Sequence, residues 1–303
     1  TVRLPVRSAT TSFTATTTAL STRTSASVRW IPAERVIPKI HQMPELPEVE
    51  FAVRRLRRAV RGREIAQLRA HHPSQRRSLT ARVVAAVVGR RITTVERRGK
   101  HQLLHLDDGA LLLVHFRMDG DWVFDRRDTA LPPHVRVTLD LADGRRAVLV
   151  DPRALCTLTW HAVDAHPDLG LGPEPEDPAL TPAAFRARLA NRRGPVKTVL
   201  LDQSVIAGVG NIYAAESLWH ARISPRAAAA SLNAERAARL LAGIRTALAD
   251  GHVNAGRYHK GERLIPFNVY DREGGPCPRC RQPVRRIAQA GRSTYFCARC
   301  QAR

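Results

Sequence analysis

The stretch "HQMPELPEVEF", residues 41–51, decides how this chain is read, because the composition changes abruptly at Met43. Before it, residues 1–42 carry Ser/Thr clusters such as "SATTSFTATTT", scattered Arg and a single acid, Glu34. Such a composition lacks the apolar content to close a core. It reads as a disordered extension absent from the mature protein, either translated sequence upstream of a start at Met43 or an organellar transit peptide. After Met43, the apolar positions Leu46, Val49, Val53, Leu56 and Val60 recur at alternating steps of three and four. This spacing predicts an amphipathic helix over 46–60 with "RRLRR" on its wet side. Pro44 and Pro47 stand at its start, where a missing N–H costs little.

Charge points to the partner. Lys plus Arg number 49 against 27 Asp plus Glu, a net +22 in 303 residues. Without residues 1–42 the counts become 43 and 26, still +17. A surplus of that size in a chain with 44% apolar residues implies a folded protein that binds a polyanion, nucleic acid before others. No run reaches the eighteen apolar residues of a membrane span, so no membrane partner is expected. Of the five cysteines, four form two C-x2-C pairs and Cys156 stands alone, a pattern that suits metal binding in a reducing compartment better than disulfides.

Beyond the first helix lie β-rich runs, "RRITTVERRGKHQLLHL", "ALLLVHF", "DWVFD", "HVRVTLDL" and "RRAVLV", separated by "DDG", "PP" and "ADG" turns. They predict a mostly antiparallel β domain over 43–165. Residues 166–181, rich in Pro and Gly and without periodicity, read as a linker. Helical segments are expected near 182–190, 195–203, 212–221 and 232–250, within a helical domain over 182–262, and a two-cysteine-pair module occupies 263–303.

"CPRC" (277–280) and "CARC" (297–300) carry the most specific local signal. Four thiolates from two tight turns close a tetrahedron around one Zn2+, and the sixteen residues between suit a β-hairpin. With Cys277, Cys280, Cys297 and Cys300 filling every position, the metal is structural. Cys156 lies outside the spacing and reads as a small buried apolar residue. In "LDQSVIAGVGNIYAAESLW" (201–219), a helix ending in "AGVG" is expected to turn tightly into a second, with Asn211 as its N-cap. Taken alone, such a glycine turn is more often only a turn. Likewise Glu45, Glu48 and Glu50 can be no more than acids favoured at a helix start.

The order "MPELPEVE", "ERRGKHQLLHL", "LGPEP", "GVGNIYAAE", "NVYDREGGPC" and "GRSTYFC" resembles formamidopyrimidine-DNA glycosylase, in the superfamily that also holds endonuclease VIII. The resemblance runs from Met43 to the end. It implies an α+β protein: an N-terminal β-sandwich-like domain with flanking helices, then a helix–two-turn–helix domain ending in a C4 zinc-finger hairpin. It also implies a monomeric bifunctional DNA glycosylase and abasic-site lyase of base excision repair. The partner is damaged double-stranded DNA, and the setting is the bacterial cytoplasm at the nucleoid, or an organelle if residues 1–42 are a transit peptide.

Residue by residue, the resemblance makes Pro44 the nucleophile, through the secondary amine of a free N-terminal proline. Glu45 becomes the proton-transfer group, Glu48 a supporting acid, and Lys100 the lysine at the lesion phosphate. Asn211 and Arg292 match phosphate contacts, with Lys197 a further one. Met118 and Arg153 match side chains that fill the gap left by a flipped base, while Leu155 replaces a family phenylalanine. The segment 254–270, "NAGRYHKGERLIPFNVY", is shorter than the base-recognition region expected of an 8-oxoguanine reader, which keeps oxidised pyrimidines open beside oxidised purines. A zinc-containing DNA-binding protein without catalysis, or a zinc-ribbon RNA-binding or ribosomal protein, shares the charge and cysteines. The latter leaves "MPELPEVE" and Lys100 without a role.

Overall fold

Helix α1 (Leu46–Val60) buries Leu46, Val49, Val53, Leu56 and Val60, the residues whose spacing predicted it. Pro47 sits in its first turn, and the Glu48 carboxylate accepts from the Glu45 amide at 3.0 Å, satisfying a donor left free at the helix start. The arginines of its wet side are anchored. Arg55 donates to Asp121 and to the Trp122 carbonyl, and Arg57 to the Val95 carbonyl. These contacts come from a computed structural model that describes residues 44–258 and 267–302. The extension 1–42 and residues 259–266 of the expected base-recognition segment lie outside the described residues.

Against α1 pack two four-stranded sheets, each wholly antiparallel. One has the order β1 (Ile65–Ala70), β6 (Val135–Leu141), β7 (Arg145–Val150), β5 (Asp121–Arg126). The other runs β2 (Ile92–Arg98), β3 (His101–Leu106), β4 (Leu111–His115), β8 (Thr157–His161). Alternation puts Gln102, Leu104 and Leu106 of β3 inward and leaves His101, Leu103 and His105 half-buried on the other side. The inward faces share one core with α1, and the fully buried Trp122 donates its indole N–H to Gln102 across the sheets. Between β1 and β2 lie two short helices, α2 (Pro73–Arg76) and α3 (Ala81–Val87), which have no counterpart among the elements expected from sequence. Cys156 is buried in this core, as its isolated position implied.

The helical domain holds α4 (Pro182–Ala190), α5 (Val196–Leu200), α6 (Asn211–His220) and α7 (Ala234–Tyr258) around a second core. Two details differ from the sequence reading. The helix before "AGVG" stops at Leu200, so the connection to α6 spans residues 201–210. The N-cap of α6 is Gly210, with Asn211 already the first helical residue. The reason is tertiary: Gln203 holds the turn by bonding the Gly208 amide and the Val209 carbonyl, which leaves Asn211 free for other partners. Strands β9 (Arg285–Gln289) and β10 (Arg292–Phe296) form the terminal hairpin, with Ala290 and Gly291 both at positive φ, as a tight two-residue hairpin turn requires.

Residues 166–181 are more than a linker. Glu174 accepts from Arg97 at 2.6 Å, Arg98 at 2.8 Å and the Gly99 amide at 2.7 Å, all on the β2–β3 turn. From the opposite side Arg245 of α7 donates to the Pro175 carbonyl. A Cβ on Gly172 would stand 2.5 Å from the Ser204 carbonyl oxygen, so only glycine lets this strap lie so close to the 201–210 turn. Leu46, the first residue of α1, belongs to the helical core, so the two domains interlock at their sequence boundaries.

Removing the Glu174 carboxylate would leave two guanidiniums without their partner. Glu174→Ala is expected to cost about 2–4 kcal/mol in denaturant unfolding. Burial pushes this carboxyl up, but Arg97, the Gly99 amide and Arg98 together outweigh it and hold it below the ordinary carboxylate range. Its contribution is therefore present above the unfolded-state value and fades as pH falls through the lowered one. A variant whose unfolding midpoint matches the parent at neutral pH would show that the strap is not a tie.

Candidate active site and nucleic-acid interface

Gly210 cannot cap α6 with a side chain, and the Glu45 carboxylate does so from 167 residues away. It accepts from the Ile212 amide at 2.9 Å and the Tyr213 amide at 3.2 Å. A Cβ on Gly210 would lie 2.3 Å from the Glu45 carboxyl carbon, and one on Gly208, at φ +81°, would strike Leu46. Glycine at both positions thus makes room for the start of α1. Glu45 is 2% exposed, and Glu48 beside it accepts from the Tyr213 hydroxyl at 2.6 Å. Burial raises the Glu45 carboxyl, with Lys100 and the α6 amides pulling the other way. Burial and then the charge of Glu45 push Glu48 up to about 7, against the Tyr213 hydrogen bond.

Lys100 follows the turn that Glu174 holds, and its side chain is buried. Burial lowers its affinity for a proton, Glu45 and Glu48 raise it, and Arg292 opposes them. A lysine on a tight turn would ordinarily be solvated; this one is fixed among charges. Lys197 is fully buried and donates to the Asn211 amide oxygen at 2.5 Å, while Asn211 donates to the Ser293 carbonyl at 3.1 Å. Desolvation and then Arg292 push Lys197 down to about 8. Lys197 thus acts on Asn211 and does not reach solvent, whereas Arg292 is exposed at the start of β10. Pro44, half-buried, precedes Glu45 directly.

Met118, Arg153 and Leu155 stand apart from this cluster on two adjoining loops, with Leu155 43% exposed. The Asp151 carboxylate, fully buried, accepts from the amides of Arg153, Leu155 and Cys156, and Ala154 takes a φ of +56°. Gln75 of α2 grips the same loop at the Cys156 carbonyl and the Leu158 amide. Sequence reading passed over Tyr213, Asp151 and Gln75. Tyr213 lies inside the quoted "GVGNIYAAE", but nothing local links Gln75 to a loop some eighty residues later.

The four paired cysteines place their sulfurs within 4.8 Å of one another, close to the edge of a tetrahedron around Zn2+. The Trp219 indole N–H donates to Cys277 Sγ and the Cys300 amide to Cys297 Sγ, both at 3.4 Å, which suits thiolate acceptors. The donor set fits one structural zinc. Glu216 of α6 accepts from the amides of Asn268, Val269 and Tyr270 and ties the entry of this module to the helical domain. No helix among the described residues is long and apolar enough to cross a membrane.

A helix–two-turn–helix domain, a C4 finger and a carboxylate–ammonium site at the domain junction define a DNA-repair glycosylase with lyase activity. Three domain families match in order: the formamidopyrimidine-DNA glycosylase N-terminal domain over 43–158, its H2TH domain over 171–258, and the zinc finger found in FPG and IleRS over 274–303. Formamidopyrimidine-DNA glycosylase of Chloroflexus aurantiacus is 41% identical over 273 residues, covering 86% of this chain and 98% of that protein. The Lactococcus lactis enzyme bound to DNA with an abasic site superposes with a TM-score of 0.77 at 29% identity, over 86% of this chain and 100% of that one. The same enzyme with DNA containing an oxidised pyrimidine gives 0.77 at 28%, with equal coverage. The chain belongs to the formamidopyrimidine-DNA glycosylase family.

Two outcomes are expected. Glu48 binds its proton more tightly folded than unfolded, so its contribution to stability falls as pH rises from about 4.5 through 7, by on the order of 2 kcal/mol. Glu48→Gln should therefore gain in melting temperature relative to the parent between pH 5 and 8. A constant difference would mean that Glu48 titrates normally. Metal analysis should find one zinc per chain, and Cys297→Ser should lose it along with ordered amide signals of the β9–β10 hairpin. Retention of stoichiometric zinc would remove Cys297 from the ligand set.

Proposed function

We propose that this protein excises oxidised purines from duplex DNA and then cleaves the strand, with Pro44 as nucleophile in a mature chain that begins there. Residues 1–42 are then an extension removed or never present in the active form. The reading requires it, since proline within a chain has an amide nitrogen without an available lone pair, while a free amino-terminal proline is a secondary amine.

The damaged nucleotide is rotated out of the stack into the site at the domain junction. The Pro44 nitrogen attacks C1′ of the sugar as the bond to the base breaks. Glu45, whose buried carboxyl favours its proton, delivers that proton to the ring oxygen, the ring opens, and the nitrogen lone pair forms an iminium at C1′. The iminium acidifies the C2′ proton; its removal expels the 3′ phosphate. Loss of a C4′ proton then expels the 5′ phosphate. Lys100 neutralises the lesion phosphate, and Glu48 with Tyr213 keeps Glu45 in place. Asn211, steadied by Lys197, and Arg292 hold the flanking backbone, contacts that position DNA without reading sequence.

Met118, Arg153 and Leu155 fill the vacated space, Leu155 as an apolar wedge that lacks the stacking face of an aromatic ring. Zinc on Cys277, Cys280, Cys297 and Cys300 supplies no chemistry to the reaction and braces the hairpin that presents Arg292. We place the enzyme as a monomer in the bacterial cytoplasm, acting on nucleoid DNA. Its units are a catalytic β domain over 43–165, the strap at 166–181, the helical domain over 182–262 and the finger from 263.

The single observation that carries the reading is Glu45, directly after Pro44, buried against α6 and electrically coupled to Lys100. The test is borohydride trapping of a chain started at Met43, with removal of the methionine confirmed by intact mass. Duplexes would carry 8-oxoguanine, a dihydropyrimidine or an abasic site. Borohydride reduces the iminium to a stable amine, so a covalent product mapping to Pro44 is expected, with 8-oxoguanine preferred over the dihydropyrimidine. No product on any duplex, abasic DNA included, would leave a zinc-bearing DNA binder.

A further inference from the structure

Asp119 connects the two loops that carry the proposed gap-filling side chains. It follows Met118 in the tight turn 116–120, closed by the Gly120 amide on the Phe116 carbonyl at 3.3 Å. Its carboxylate is only 13% exposed and approaches Arg153, on the other loop, with Oδ2 at 3.4 Å from Nε. The Arg153 backbone is already fixed by Asp151 and by Arg136, which donates to the Asp151 carbonyl at 2.7 Å. What remains free is the long side chain, and the Asp119 carboxylate restricts it at Nε. Among the described residues neither Nη donates a hydrogen bond, so both stay available.

A pair of parallel donors discriminates among bases. On its pairing edge cytosine presents two adjacent acceptors, N3 and O2; adenine presents one acceptor beside a donor. Guanine presents one acceptor beside two donors, and thymine two acceptors separated by a donor. A guanidinium held at one angle meets cytosine with both donors, whereas a freely rotating one finds a single acceptor on any base. Leu155 offers no ring to stack, which places more of the selection on Arg153.

We propose that Asp119 is a positioning residue that sets opposite-base selectivity, holding Arg153 through Nε so that its Nη pair faces the base left unpaired by flipping. The inference rests on the glycosylase reading above and on Arg153 as the side chain that meets that base. Because Arg153 is half exposed, the ion pair adds little to stability, and its effect lies in orientation.

Single-turnover excision of 8-oxoguanine placed opposite C, A, G and T tests it, with parent, Asp119→Asn, Arg153→Ala and the double variant. Asp119→Asn is expected to lower the ratio of C-opposed to A-opposed excision about fivefold, roughly the worth of one lost directed hydrogen bond. Arg153→Ala should lower it at least as far, and the double variant should match Arg153→Ala alone. A merely structural role would slow excision opposite every base alike and leave the ratio in place. An unchanged ratio, or an equal further fall in the Arg153→Ala background, overturns the inference while the enzyme reading stands. A parent chain inactive on every duplex overturns both.

Discussion

The fold turns on one interaction, the Glu45 carboxylate on the amino terminus of α6. It joins the start of the first domain to the middle of the second through hydrogen bonds at 2.9 and 3.2 Å. A buried carboxylate is costly unless paired, and here two amides and the nearby Lys100 compensate it. Several features exist to permit it: Gly210 leaves room for the carboxylate, Gly208 leaves room for Leu46, and Gln203 shapes the turn between. The proton-transfer group is therefore placed by domain docking, and the same contact that holds the domains together aligns the chemistry.

Docking also delivers Lys100. The β2–β3 turn is gripped by Glu174 of the strap, and the strap is gripped by Arg245 of α7. Lys100 then faces Glu45 and Glu48 on one side and Arg292 on the other. Lys100, Lys197 and Arg292 are mutually repelling cations, two of them stripped of water, which is an arrangement that a DNA phosphate relieves. The net charge brings the polymer to the surface, and these three define where its backbone settles.

Rigidity recurs wherever a side chain must meet DNA. Asp151 locks a loop by accepting three amides, the tight turn of the β9–β10 hairpin sets Arg292, and Glu216 ties the finger to α6. Trp219 packs between the finger and the helical domain, bonding Cys277 and carrying Arg279 4.0 Å over its ring. Buried charged hydrogen bonds hold these loops where a small domain offers little apolar area.

The sequence alone determined what depends on local spacing. Helix α1 is written in steps of three and four, the zinc ligands in two C-x2-C pairs, and most strands in alternating runs between turn residues, because each pattern expresses one element's own geometry. The family motifs added which residues to watch, but not how they meet. Only the tertiary structure decided that Gly210 and not Asn211 caps α6, that Lys197 is buried behind Asn211, that a Pro/Gly segment is a strap, and that Asp119 reaches Arg153. Each of these depends on which distant group arrives to satisfy a donor or a charge. Partners separated by tens to more than a hundred residues leave no period in the chain; they are chosen when the cores dock and water is expelled.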